Sequence, residues 1–275
     1  MKTKVYIFDK ALFKSYLAVL SVISVITSFI FIFVSIPDQC KLFAGIMFIV
    51  MMITIYFGMW IYANRLKFTN LKINNSEVDV KIGDIFQEGG LKVIAFNEYF
   101  DTLVNEDVIA SSTLNGKFIK QHIEDVDALD NAILESKHLL RRKLENDTNR
   151  TQGKTQKYRL GSIFVYDDYL LTAFTKFDED NRAYLTITDY INCLLNFWNE
   201  VDIVYANRSV VIPLLGTGIT RLKDYETMSE QEKLELLLWS FKVSRIKFTY
   251  PAKVTIVIHE SLIDKINFYK LKGII

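Results

Sequence analysis

Two long uncharged stretches near the N-terminus constrain this chain more than any other feature. Residues 15–36 and 42–64 contain no Asp, Glu, Lys or Arg, and each supplies the roughly 20 residues needed to cross a hydrocarbon core of about 30 Å. The connection, Pro-Asp-Gln-Cys-Lys at 37–41, is long enough only for a tight hairpin, so the expected spans are antiparallel. Lys2, Lys4, Lys10 and Lys14 precede the first and Arg65, Lys67 and Lys72 follow the second, while the hairpin offers Lys41 against Asp38. That asymmetry puts both termini in the cytoplasm and makes the chain a multi-pass protein of the cell membrane. A cleaved leader is disfavoured because no small-x-small site follows the first stretch and a second span comes at once.

Within the first span Ser21, Ser24, Thr27 and Ser28 fall near one helical face. They would either meet a neighbouring helix or bond their own backbone. Tyr56, Trp60 and Tyr62 lie toward the cytoplasmic end of the second, where amphipathic rings favour the headgroup level. Cys40 on the hairpin and Cys193 in a later helical stretch are expected on opposite sides of the bilayer, as free thiols. His122, His138 and His259 show no metal or nucleophile spacing. A net charge of +1 and the lack of a basic, aromatic-rich patch argue against nucleic acid as a partner.

The remainder, 71–275, is long enough for one α/β domain beside a hairpin domain at 1–70. Strand patterns occupy 78–82 and 91–96, and 161–166 pairs with 169–174 as a hairpin across Asp167-Asp168. The periodicity predicts helices over 125–145 and 183–205, with a mobile hydrophilic loop at 146–157 and a polar turn at 178–182. Ser229-Glu-Gln-Glu232 is a capping box that opens a further helix. A strand follows at 252–259, and Ser261 is placed to cap a short last helix.

Residues 210–221, Val-Val-Ile-Pro-Leu-Leu-Gly-Thr-Gly-Ile-Thr-Arg, read as a buried parallel strand running into a glycine turn. Gly216 and Gly218 permit backbone angles that leave N–H groups exposed at the strand's carboxyl end, where they can cradle a diphosphate. A Gly-x-Gly by itself fits a plain tight turn equally well.

Taken together, Ile-Gly-Asp-Ile-Phe at 82–86, Val-Ile-Ala-Phe-Asn-Glu-Tyr-Phe-Asp-Thr at 93–102, Leu-Thr-Ala-Phe-Thr-Lys-Phe-Asp at 171–178, Asn-Arg-Ala-Tyr-Leu at 181–185 and the 210–221 segment resemble the macro domain, a module that binds ADP-ribose and related nucleotides. More closely, with the paired spans, the chain is similar to the membrane-bound, macro-type effectors of bacterial Thoeris antiphage defence. The resemblance implies a mixed sheet flanked by helices behind a two-helix transmembrane hairpin. It also implies a diffusible ADP-ribose derivative, such as an amino-acid adduct, made by a TIR-domain partner and sensed without any cofactor. The implied outcome is a homo-oligomer that disrupts the lipid bilayer and ends the infection with the cell, the hydroxyl face of the first span being a candidate lining.

By the same resemblance Asp84 would accept from the adenine amino group beside the Ile85 backbone, and Asn97 would face the distal ribose. Gly216, Thr217, Gly218 and Ile219 would give N–H groups to the diphosphate, with Arg221 reading charge and Gly116 standing in for a second glycine loop. The residues also allow simpler roles: Asp84 as the stabiliser of its own turn, Asn97 as a strand-end cap, Tyr99 and Phe100 as core instead of stacking groups, and Lys176 and Arg182 as solvated cations. No asparagine lies three residues beyond Asn97, where Phe100 stands, and the multi-glycine loop is reduced to Gly116. Both departures weaken a hydrolytic reading, so no catalytic residue is assigned. The alternative is a membrane-anchored hydrolase of ADP-ribose derivatives using Asp101 or Glu98.

Overall fold

The computed structural model describes residues 3–218, 221–223 and 228–273, with Arg221 and Leu222 described as backbone only. They form two compact units: residues through Thr69 with those from Asp264 onward, and Asn70–Ile263. The C-terminal segment, expected to end the α/β domain, thus groups with the hairpin.

In the first unit α1 (Lys10–Phe33) and α2 (Asp38–Arg65) are 24 and 28 residues long, about 36 and 42 Å at 1.5 Å per residue. Both are long and apolar enough to cross a membrane. The hydroxyl groups of Ser21 and Thr27 donate to Ala18 and Ile23 carbonyls of the same helix, so those two bond their own backbone. Asp9 caps α1 by accepting from the Ala11 and Leu12 N–H groups. Ahead of it the N-terminal segment runs along α2. Asn64 accepts from Lys4 and Val5 N–H at 2.8 and 3.0 Å, and Trp60 Nε1 donates to the Val5 carbonyl at 2.9 Å. The short helix α8 (Phe268–Leu271) joins this unit through Tyr269, whose hydroxyl donates to Ser15 at 2.7 Å. Trp60 therefore has a packing role that its position near a span end did not reveal.

The second unit is built on a sheet of nine described strands. In chain order these are β1 (Phe68–Ile73), β2 (Ser76–Ile82), β3 (Leu91–Asn97), a separate ribbon of β4 (Lys143–Asn146) and β5 (Gln156–Tyr158), then β6 (Ile163–Tyr166), β7 (Tyr169–Phe177), β8 (Ala183–Leu185), β9 (Val210–Pro213), β10 (Arg221–Leu222) and β11 (Val254–Ile258). The sheet order is β1-β2-β11-β9-β3-β7-β8-β10, with β6 hairpinned onto β7. The run β2-β11-β9-β3-β7 is parallel throughout. Its central strands are mostly apolar because both faces are covered. On one face Ile94, Phe96, Leu171 and Ala173 pack with Phe118, Ile119, Leu129 and Ile133 from α3 (Leu114–His122) and α4 (Val126–Glu135). On the other, α6 (Ile187–Val204) sets Tyr190 edge-on to Phe174. Its Trp198 packs on Phe241 of α7 (Glu230–Ser244) and donates to Ser240 at 2.9 Å.

The expected hairpin β6–β7 forms with the register of the pattern, and the Ser229–Glu232 capping box opens α7 with both of its bonds made. Four local expectations are corrected. The 125–145 helix breaks at Ser136, whose backbone turns extended and whose hydroxyl starts the short α5 (Lys137–Leu140). The 146–157 stretch contains the loop expected there, but as the connection of the β4–β5 ribbon, tied to the domain by side chains described below. The 183–205 helix starts only at Ile187, after β8, because Thr186 and Asp189 make a capping box there. Ser261 falls inside a 3-10 turn, and Asn267 caps the last helix instead.

Candidate functional site

After β3 the next strands of the sheet, β6 and β7, lie on one side; after β9 the chain touches the far edge of that side at β10 and then crosses by α7 to β11 on the other. Adjacent parallel strands whose connections diverge leave a crevice at their carboxyl ends, where open α/β sheets take ligands. A cavity of about 890 Å³ lies there, within the size range of small-molecule sites. Of the sequence-selected residues, Asp84, Ile85, Asn97, Gly216, Thr217 and Gly218 line it together.

Asp84, an extended residue just beyond β2, caps the 3-10 turn Ile85–Gln87, accepting from the Phe86 N–H at 3.1 Å. Its turn-stabilising role and its exposure to the cavity coexist. Ile85 is buried against Val211 and Val257, which fixes the turn over the sheet edge. Phe86, also lining the cavity, stacks on His122 with ring centres 4.5 Å apart.

The turn after β9 is held from beneath. Tyr190 donates its hydroxyl to the Leu215 carbonyl at 3.2 Å, and Thr217 donates to the Leu214 carbonyl at 2.9 Å. Burial raises the Tyr190 phenol well above its ordinary range, so it remains a donor. Gly216 has φ +80°, and a Cβ there would stand 3.1 Å from Tyr190 Cε2. This position needs glycine for both conformation and space. Among the described residues, nothing stands within 4 Å of a Cβ built at Gly218. Ile219 lies outside the described residues, as does the side chain of Arg221.

Asn97 is buried and multiply bonded. Its Oδ1 accepts from the Tyr99 and Asp101 N–H groups at 3.1 and 3.2 Å, and its Nδ2 donates to Asp101 Oδ2 at 2.8 Å. Asp101, fully buried, also accepts from Arg150 Nη2 at 2.6 Å and from the Lys154 N–H at 2.7 Å. The Arg150 guanidinium lies 3.9 Å over the Tyr99 ring and donates onward to Asn181 at 2.8 Å. These contacts pin the β4–β5 ribbon. Tyr99 and Phe100 are buried in the core, as the simpler reading had it. Burial, then the hydrogen bond to Asp147, pushes the Tyr99 phenol up to about 12, and burial raises the Glu98 carboxyl above its ordinary value.

Gly116 does not line the cavity, although Asn115 and Lys117 on either side of it do. It opens α3 against the preceding loop, where a Cβ would lie 2.3 Å from the Ala110 carbonyl oxygen. Lys176 and Arg182 are likewise outside the lining and pair with Asp189 and Asp180. Sequence reasoning missed the 108–113 loop, Gln121, the end of β7 and the segment 259–262. The last was within reach, since a strand at 252–259 beside the β9 strand implies that its carboxyl end faces the same crevice.

The diverging parallel strands, the flanking helices and the cavity at the sheet's carboxyl edge define a macro-type α/β domain. A family model described as Thoeris protein ThsA, macro domain, matches residues 78–259, from β2 to the end of β11. Over 280 residues the chain is 41% identical to Thoeris protein ThsA of Bacillus amyloliquefaciens (strain Y2), covering 98% of this chain and 92% of that protein. The chain belongs to the ThsA macro-domain family. Among solved structures, it is similar to the Oceanobacillus iheyensis macrodomain with ADP (TM-score 0.46, 12% identity, 75% of this chain and 94% of that one). A mutant of that macrodomain with ADPR gives a TM-score of 0.44 at 13% identity, over 75% and 96%.

Proposed function

We propose that this protein is the membrane effector of a Thoeris antiphage system. Its cavity senses an ADP-ribose-derived nucleotide, such as an amino-acid adduct, released by a TIR-domain partner during infection. The observation that carries this reading is the convergence on one cavity of an acidic turn, a carboxamide and a glycine turn, at Asp84, Asn97 and Gly216–Gly218. The first offers an acceptor for a base amino group; the last offers backbone N–H groups to a diphosphate. Family membership supplies the Thoeris setting, and the two apolar helices supply the means of reaching a bilayer.

Ligand binding then promotes assembly, because a ligand shifts an equilibrium only by binding one state better. Two helices per chain cannot line a pore, so bilayer disruption requires several copies. The termini are cytoplasmic in this account, and the infected cell is lost with the phage. A hydrolase would need a base facing the ligand. Glu98 and Asp101, the residues that reading would use, are not among the lining residues, and both Asp101 oxygens are engaged; Asp84, His259 and Glu260 do line the cavity, so the hydrolase stays the alternative, and recovery of intact ligand decides between the two.

The test uses full-length protein in dye-loaded liposomes. Addition of ADP-ribose or an adduct is expected to cause dye release together with growth in particle mass. Saturable binding with neither effect would refute the membrane mechanism.

A further inference from the structure

Tyr56, Trp60 and Asn64 follow one another at intervals of four along α2 and so share one face of it. All three lie inside the uncharged 42–64 stretch. The N-terminal segment, residues 3–9, runs back along that face. Asn64 accepts from the Lys4 and Val5 N–H groups and donates to the Val5 carbonyl. Trp60 Nε1 donates to the same carbonyl, and the Tyr56 hydroxyl donates to the Ile7 carbonyl. From residue 64 to residue 56 is about 12 Å of helix, so the segment reaches the depth that α2 itself assigns to the bilayer.

Irregular backbone can lie at that depth only when its polar groups are bonded within the protein. The carbonyls of Lys4 and Tyr6 are met as well, by Asn267 Nδ2 at 3.1 Å and the Asp9 N–H at 3.0 Å. Every carbonyl from Lys4 to Ile7 therefore has a donor. The side chains divide: Val5 is buried with Leu12 and Ala63, whereas Tyr6 and Phe8 are 80% and 87% exposed. A segment that satisfies its own backbone and turns two aromatic rings outward fits the boundary between headgroups and acyl chains. Exposed cations flank it, Lys10 and Lys14 one turn apart at the start of α1 and Arg65 and Lys67 at the end of α2. Their charge complements lipid phosphates.

We propose that residues 3–9 form an interfacial anchor that binds phospholipid, with Tyr6 and Phe8 entering the acyl boundary and the four flanking cations meeting headgroup phosphates. This rests on the membrane reading above. It extends that reading by giving the hairpin a second, surface-binding element that fixes its depth beside the spans themselves.

The test is spin-label accessibility in full-length protein reconstituted into vesicles of phosphatidylethanolamine and phosphatidylglycerol. Cys40→Ser removes the exposed thiol, and the buried Cys193 stays. In that background Tyr6→Cys, Phe8→Cys and Val25→Cys are labelled separately, the last as a reference within α1 at a residue 70% exposed. Labels at 6 and 8 are expected to be relaxed more by dissolved oxygen than by a water-soluble nickel chelate, with a smaller ratio than at 25. Stronger relaxation by the chelate at 6 and 8, protection from both agents, or a ratio equal to that at 25 overturns the inference, while a lipid-facing label at 25 leaves the membrane reading intact. A water-facing label at 25 overturns both. Should Phe8→Cys fail to reconstitute, Tyr6→Cys decides.

Discussion

The two strand ends that meet at the sheet's switch point prepare the cavity in opposite ways. After β9 the chain offers backbone: Gly216 in a left-handed conformation, Gly218 with no described residue crowding its Cα, and carbonyls tied down by Tyr190 and Thr217. After β3 it offers a side chain, Asn97, whose geometry is set by a buried carboxylate, a buried guanidinium and a ribbon some 50 residues downstream. The contrast shows two routes to preorganisation. Backbone donors need only local sequence and conformational permission; a buried side chain needs a supporting shell drawn from elsewhere in the fold.

The comparison can be broken first on the β3 side. Asp101→Ala strands the Arg150 guanidinium, which with its partner is almost wholly buried, and removal of one member of a buried ion pair is expected to cost about 3–5 kcal/mol. Chemical denaturation would read this directly, and a loss comparable to that of a surface pair would show that the network is not what holds the ribbon. On the β9 side Gly216→Ala is expected to cost about 1–2 kcal/mol, since an L-residue must adopt φ +80°, while Tyr190 crowds the added methyl. An unchanged melting temperature would contradict the claim that glycine is required.

The smallest effect sharpens the electrostatics beside Asn97. Burial holds the folded Glu98 carboxyl above its ordinary value, so the folded state binds this proton more tightly than the unfolded state does. The resulting stabilisation is fully present below the ordinary carboxylate pKa and fades as pH rises through the raised one. Glu98→Gln should therefore leave stability at acid pH almost unchanged and raise it modestly at neutral pH. Melting curves across that range test the sign.

Legibility in the sequence follows the same division. The 210–218 segment declares itself because an apolar run and two glycines are contiguous, and the Asp84 turn follows directly on a strand. The second unit's parallel strands and the α7 capping box were readable for the same reason. Nothing local announces that Arg150 and Lys154 belong to Asp101, because their contact spans about 50 residues and arises only when the ribbon folds back. A hydrophilic stretch looks like a loop until its charges find buried partners. Ser136 breaks one expected helix and Thr186 delays the start of another for a related reason: a short hydroxyl side chain that caps a helix overrides the periodicity running through it. Gly116 drew attention as a glycine, but the need it meets is close approach to Ala110, which spacing alone does not distinguish from a ligand loop.

The central claim, that the switch-point cavity is a receptor site for an ADP-ribose-type nucleotide, is tested most directly by calorimetry on full-length protein in detergent. Wild type and Gly218→Asp would each be titrated with ADP-ribose and its amino-acid adducts, and the ligand recovered afterwards. Among the described residues none obstructs a Cβ at this position, so the variant is expected to fold yet repel a diphosphate at the turn. The account predicts saturable one-site binding by wild type, loss of binding in Gly218→Asp and ligand recovered intact; equal binding by both proteins, or none by wild type, would contradict it.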